Sequence, residues 1–136
     1  MITFDEVGEM LDDIADEIPR DFFKELNGGI VLLPDTKVHK ESGGAQTLYT
    51  LGEYHNDRQG YGGLGRYITI FYGSFTALYG RCSRRHQKEE LRKVLLHEFT
   101  HHLESLAGEY GLEIKDAIEL EKYRRRRDRG KKPKDN

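Results

Sequence analysis

His97-Glu98-Phe99-Thr100-His101 sets two imidazoles four residues apart, with a carboxylate directly after the first. On a helix, four residues advance about 400°, so His101 returns to within roughly 40° of His97, one turn along the axis. Two imidazoles on one face can share a metal ion, and Glu98 can reach the water that the ion activates. This HExxH spacing is the helical signature of a zinc peptidase site, in which a fourth coordination position stays open for water. The plain alternative is two histidines on a solvated helix face.

The chemistry requires a helix under the motif, and Gln87 to Ala107 reads as the strongest helix of the chain, with Gly108 and Gly111 marking its end. Leu91, Leu95, Phe99 and Leu106 fall on one side of the wheel; His97 and His101 lie roughly opposite, with Glu104 between them in angle. His102 turns toward the apolar side and reads as a packed histidine.

The elements ahead of it follow from pattern and punctuation. Thr3 and Glu6 have capping-box spacing, and Phe4, Val7, Leu11, Ile14 and Ile18 recur at helical intervals up to Pro19. RDFFKEL predicts a short turn of helix, stopped by Asn27-Gly28-Gly29. Ile30 to Leu33 predicts a buried strand, residues 35–45 a polar loop, Thr47 to Tyr54 a second strand, and the glycine-rich residues 55–65 another loop. Arg66 to Tyr72, rich in β-branched and aromatic residues, is the clearest strand. Gly73 to Tyr79 predicts a helical turn, 80–86 a polar connector, and Glu113 to Arg127 a last helix. The order predicts an α+β fold with a small, mostly antiparallel sheet packed on the motif helix. The expected domain spans 1–121, with 122–136 expected to form a basic helix end and a disordered tail.

Composition narrows the function classes. One cysteine, Cys82, excludes an internal disulfide framework and a multi-cysteine zinc site. The longest apolar run, Ile30 to Leu33, is four residues, against roughly 20 for a membrane span. The acidic start MITFDEVGEM lacks the features of a secretory signal, so the expected compartment is the cytoplasm. The net charge of −2 divides into about −9 for residues 1–121 and +7 for 122–136. An acidic body argues against nucleic-acid binding by the folded part, and leaves it open to the Arg/Lys-rich tail alone.

Over residues 3–116 the chain resembles the small bacterial zincin-like metallopeptidases of minimal fold. The resemblance rests on DEIPRDFFKELNGGIVLLP, LGEYHND, RYITIFYGSF and KVLLHEFTHHLESLAGE, with HEFTHH its most specific stretch. It implies a zincin-type core, zinc held by His97 and His101, Glu98 as general base, and a peptide or protein substrate whose backbone pairs with an edge strand, for which Arg66 to Tyr72 is the candidate. Many relatives follow HExxH with a glycine and then an aspartate where this chain has Glu104 and Ala107. Ala107 cannot bind zinc, so the third ligand is expected from Glu113 first, Asp116 second, and Glu104 third; each also reads plainly as a surface or capping acid. Tyr54, Tyr61 and Tyr110 are candidates to stabilise an oxyanion. His55 reads as a loop histidine that could line a cleft, and Cys82 as incidental. The rival functions are a non-catalytic metal-binding scaffold and an interaction module working through the basic tail.

Overall fold

The computed structural model describes residues 1–43, 47–57 and 65–110. Their elements are α1 (Phe4–Glu17), a 3-10 turn (Arg20–Phe23), β1 (Gly29–Leu33), β2 (Lys37–Val38), β3 (Tyr49–Thr50), β4 (Gly52–Asp57), β5 (Gly65–Phe71), α2 (Tyr72–Tyr79) and α3 (Arg84–Tyr110). The fold is α+β. Two compact units are present, Met1–Phe99 and Thr100–Asn136; the boundary expected at 121 lies outside the described residues.

In the first unit the capping box forms as its residues predict. Thr3 Oγ1 accepts the Glu6 N–H at 3.1 Å, and Glu6 Oε1 accepts the Thr3 N–H at 2.8 Å, which satisfies two donors at the helix start. Val7, Leu11, Ile14 and Ile18 are buried, while Phe4 turns outward against Tyr72, ring centroids 5.5 Å apart. Burying a side chain of this kind contributes about 1.5–3 kcal/mol, so the stripe, more than helix propensity, holds α1 in place. Ile18 is already extended ahead of Pro19, as the proline ring requires.

β5 is the middle strand of a sheet ordered β1-β5-β4, parallel to β1 and antiparallel to β4. The sheet is therefore mixed, where a mostly antiparallel one was expected. Nor can β5 be the edge that receives a substrate, because both of its own edges are paired. The residues that made it the clearest strand explain this: Ile68 and Ile70 are fully buried, and Thr69 and Phe71 nearly so. Such burial on both faces belongs to an interior strand. Among the described residues, the edges of this sheet are β1 and β4.

The segment expected to be a loop at 35–45 contains β2, and the strand expected over Thr47–Tyr54 divides at Leu51 into β3 and β4. β2 and β3 pair as an antiparallel hairpin, Lys37 opposite Thr50 and Val38 opposite Tyr49. Two-residue strands show no alternation to read; this pair is held from outside, by α2. Ser74 Oγ accepts the Lys37 N–H at 2.8 Å and donates to the Lys37 carbonyl oxygen at 3.1 Å. The Gly73 N–H donates to the Asp35 carbonyl oxygen at 3.0 Å. A Cβ at Gly73 would overlap Thr36 Oγ1 and stand 2.8 Å from that same carbonyl oxygen, so the approach requires glycine.

α3 starts at Arg84, inside the predicted connector, with Ser83 Oγ accepting the His86 N–H at 3.1 Å. Its Leu91, Leu95 and Phe99 join the core of the first unit beside Ile68, Ile70 and Phe75. Arg84–Glu6, Lys88–Asp13 and Arg92–Glu17 ion pairs tie it to α1. In the second unit, His102, Leu103 and Leu106 are buried. The helix passes through Gly108, its expected end, to Tyr110; a helical glycine costs only about 1 kcal/mol relative to alanine. The helix expected over 113–127 lies outside the described residues. Among the described residues, no helix is long and apolar enough to cross a membrane.

Candidate active site

The HExxH motif is helical throughout, on α3. Leu91, Leu95, Phe99 and Leu106 are buried while His97 and His101 are exposed, so the two imidazoles stand off the apolar stripe as the wheel predicts. Glu98 is 6% exposed and His102 fully buried. The carboxylate is thus sheltered while the histidine beside it remains accessible.

His97 and Glu98 open on a cleft of about 390 Å³ in the first unit. One wall is α3, from Lys93 and Val94 to His97 and Glu98; the other is the chain from Tyr49 to Gly52, with His39 from the β2–β3 hairpin. Gly52 lets these walls come close. A Cβ there would lie 3.1 Å from both Ile70 Cδ1 and Val94 Cγ1 and 3.2 Å from the Thr69 carbonyl oxygen. Lys93 at the rim is held by Glu90, Nζ to Oε2 3.0 Å. That bond pushes the ammonium above its ordinary pKa and pulls the Glu90 carboxyl below its own. Burial, and then Glu90, raise the phenol of Tyr79.

The expected third ligands fare differently. Glu113 and Asp116 lie outside the described residues. Glu104 places Oε1 3.5 Å from His101 Nδ1, one turn along α3, with both side chains about half exposed. Among the described residues, no group of three His, Cys, Asp or Glu side chains comes together to hold a metal ion.

His55 belongs to β4, not to a loop. Its ring stacks on Tyr67 with centroids 4.4 Å apart, and Nε2 lies 3.0 Å from Thr69 Oγ1. Strand alternation puts it on the opposite sheet face from Gly52, and so away from the cleft. Tyr54 packs partly buried against the core. Tyr61 and the side chain of Tyr110 lie outside the described residues. Cys82 is exposed and free. The cleft's His39 and Tyr49 were not singled out in sequence, because a polar loop and a two-residue strand carry no local signal of what they face.

No family model and no curated protein matches the chain. It is similar to a solved structure, a conserved hypothetical protein from Thermus thermophilus, with 33% identity over 79% of this chain and 99% of that one and a TM-score of 0.65. With that identity over nearly the whole of the Thermus protein, the chain belongs to the same family.

Proposed function

With that kinship as its setting, we propose that the chain is a zinc-dependent peptidase of the zincin type, with His97 and His101 as ligands and Glu98 as general base. One observation carries the reading: an accessible His97 and a sheltered Glu98 stand side by side on a cleft, with His101 four residues on in the same helix. The donor set suits zinc in its imidazole half. His97 and His101 have the helical i, i+4 spacing that lets two imidazoles share one ion. A carboxylate from Glu113 or Asp116 is the proposed third ligand.

Zinc bound there would supply a Lewis acid for the scissile carbonyl and raise the acidity of the attacking water. Glu98 takes that water's proton as the oxygen attacks the carbonyl carbon, and passes it to the departing amine when the C–N bond breaks. An intact base at this position favours catalysis over a purely structural site, which has no use for one. With β5 paired on both sides, β4, an edge strand among the described residues that begins on the cleft at Gly52, is the strand proposed to receive an extended peptide.

The test is zinc content after purification together with cleavage of a peptide library. Wild type should carry about one zinc and cleave. Glu98→Gln should keep zinc and lose cleavage, and His97→Ala and His101→Ala should lose both. Equal zinc loss in all three variants would refute the role given to Glu98.

A further inference from the structure

His39 stands on the cleft wall and belongs to no part of the HExxH motif. The tautomer of its neutral ring follows from one contact. The Glu41 backbone N–H donates to His39 Nδ1 at 3.0 Å, so Nδ1 is an acceptor and the ring proton sits on Nε2. A metal-bound imidazole shows the reverse arrangement, donating from the nitrogen that does not bind. His39 is therefore built as a hydrogen-bond donor and not as a ligand. Nδ1 is turned to its own loop, which leaves Nε2–H on the far side of the ring.

The donor is held in place before any substrate arrives. The His39 N–H donates to the Leu48 carbonyl oxygen at 2.7 Å, its own carbonyl accepts the Ser42 N–H at 2.9 Å, and Ser42 Oγ accepts the Leu48 N–H at 3.0 Å. Ser74 grips the same hairpin at Lys37. A fixed donor beside a cleft is what stabilises charge developing in a transition state, because it needs no reorganisation at that moment. Glu98 cannot serve in this way; an ionised carboxylate only accepts.

We infer that His39 is a catalytic residue of the peptidase reaction, its Nε2–H donating to the oxyanion that develops on the scissile carbonyl. The inference rests on the peptidase reading above. In the balance of the reaction, the water oxygen bonds to the carbonyl carbon, the C–N bond breaks, and the proton travels through Glu98 to the amine. His39 keeps its own proton throughout.

The zinc-loaded chain should lose about 100-fold or more in kcat on His39→Ala, the usual cost of one oxyanion donor, with KM within about threefold and zinc content unchanged. Because His39 is exposed, the melting temperature should hardly move. Lys40→Ala, next to His39 in the chain but off the cleft wall, should leave kcat within about threefold. A phosphinic peptide, whose tetrahedral oxygens mimic the oxyanion, should bind His39→Ala about 100-fold more weakly. In metal-free protein, the 15N spectrum of the imidazole should show Nε2 protonated and Nδ1 bare. A proton on Nδ1, a loss confined to KM, unaffected His39 variants of an active enzyme, or an equal loss in Lys40→Ala would each overturn the role of His39 alone. A zinc-loaded wild type that cleaves nothing overturns the peptidase reading and the role of His39 with it.

Discussion

Replacing Gly52 with alanine tests how closely β4 and α3 are set around the cleft. Two effects oppose each other. Alanine restricts the unfolded chain and by that route stabilises a protein by about 0.4–1 kcal/mol where the backbone tolerates it. Against this, the new methyl would meet Ile70 Cδ1 and Val94 Cγ1 at 3.1 Å and the Thr69 carbonyl oxygen at 3.2 Å. None of the three can easily give way. Ile70 is fully buried, a valine on a helix has one strongly preferred rotamer, and the carbonyl is part of β5. Overpacking of this kind costs about 1–3 kcal/mol. The expected net effect is destabilisation by about 1–2 kcal/mol, or a fall in melting temperature of roughly 2–8 °C per kcal/mol. Chemical denaturation of Gly52→Ala, Val94→Ala and the double variant measures it. Since Val94→Ala removes one of the colliding methyls, the cost of Gly52→Ala should shrink by at least about 0.5 kcal/mol in that background, the coupling typical of touching residues. A neutral or stabilising Gly52→Ala, or the same penalty in both backgrounds, would refute the close approach and the shape of cleft derived from it.

Four further outcomes are expected. Zinc affinity measured by competition should fall sharply in Glu113→Ala and little in Asp116→Ala. Thr3→Ala should cost about 1 kcal/mol in thermal unfolding, the usual value of a helix cap. The Glu6 carboxyl is held below its ordinary pKa, chiefly by the Thr3 N–H and then the Thr3 hydroxyl. Its contribution is therefore complete above the unfolded value of about 4.3 and disappears as pH falls through the lower folded value; Glu6→Gln should remove that acid limb of the stability curve, while Thr3→Ala, which keeps the backbone N–H, should only shallow it. Phe99→Ala should cost about 3–5 kcal/mol in denaturant unfolding, since its ring is 1% exposed and meets Phe23 edge-on at 5.0 Å.

What could be read in the sequence was local. The Thr3–Glu6 box, the stripe from Val7 to Ile18 and the apolar side of α3 each declare themselves within one or two turns. His97 and His101 stand off that side as their wheel positions predict. The neighbours of β5 were not legible, because β-branched content reports burial and not which strands lie alongside. β2 was missed because Ser74 and Gly73, more than thirty residues away in sequence, hold it. His39 was missed for the same reason. Its partner Glu41 is local, but the cleft it faces is assembled by α3.

Gln87 has a consequence for how relatives of this chain can vary in length. Its amide is fully buried at the corner between α2 and α3, where Nε2 donates to the carbonyl oxygens of Tyr79 at 2.9 Å and Gly80 at 3.3 Å and Oε1 accepts from Arg84 Nη1 at 3.0 Å. This joint sets the rotational phase of α3 about 15 Å upstream of His97. One residue inserted between the two would swing the motif about 100° around the axis and carry His97 off its cleft. Gaps in an alignment of the family should therefore gather in the segments between strands and avoid the ten steps from Gln87 to His97, a stretch that works as a ruler as much as a helix.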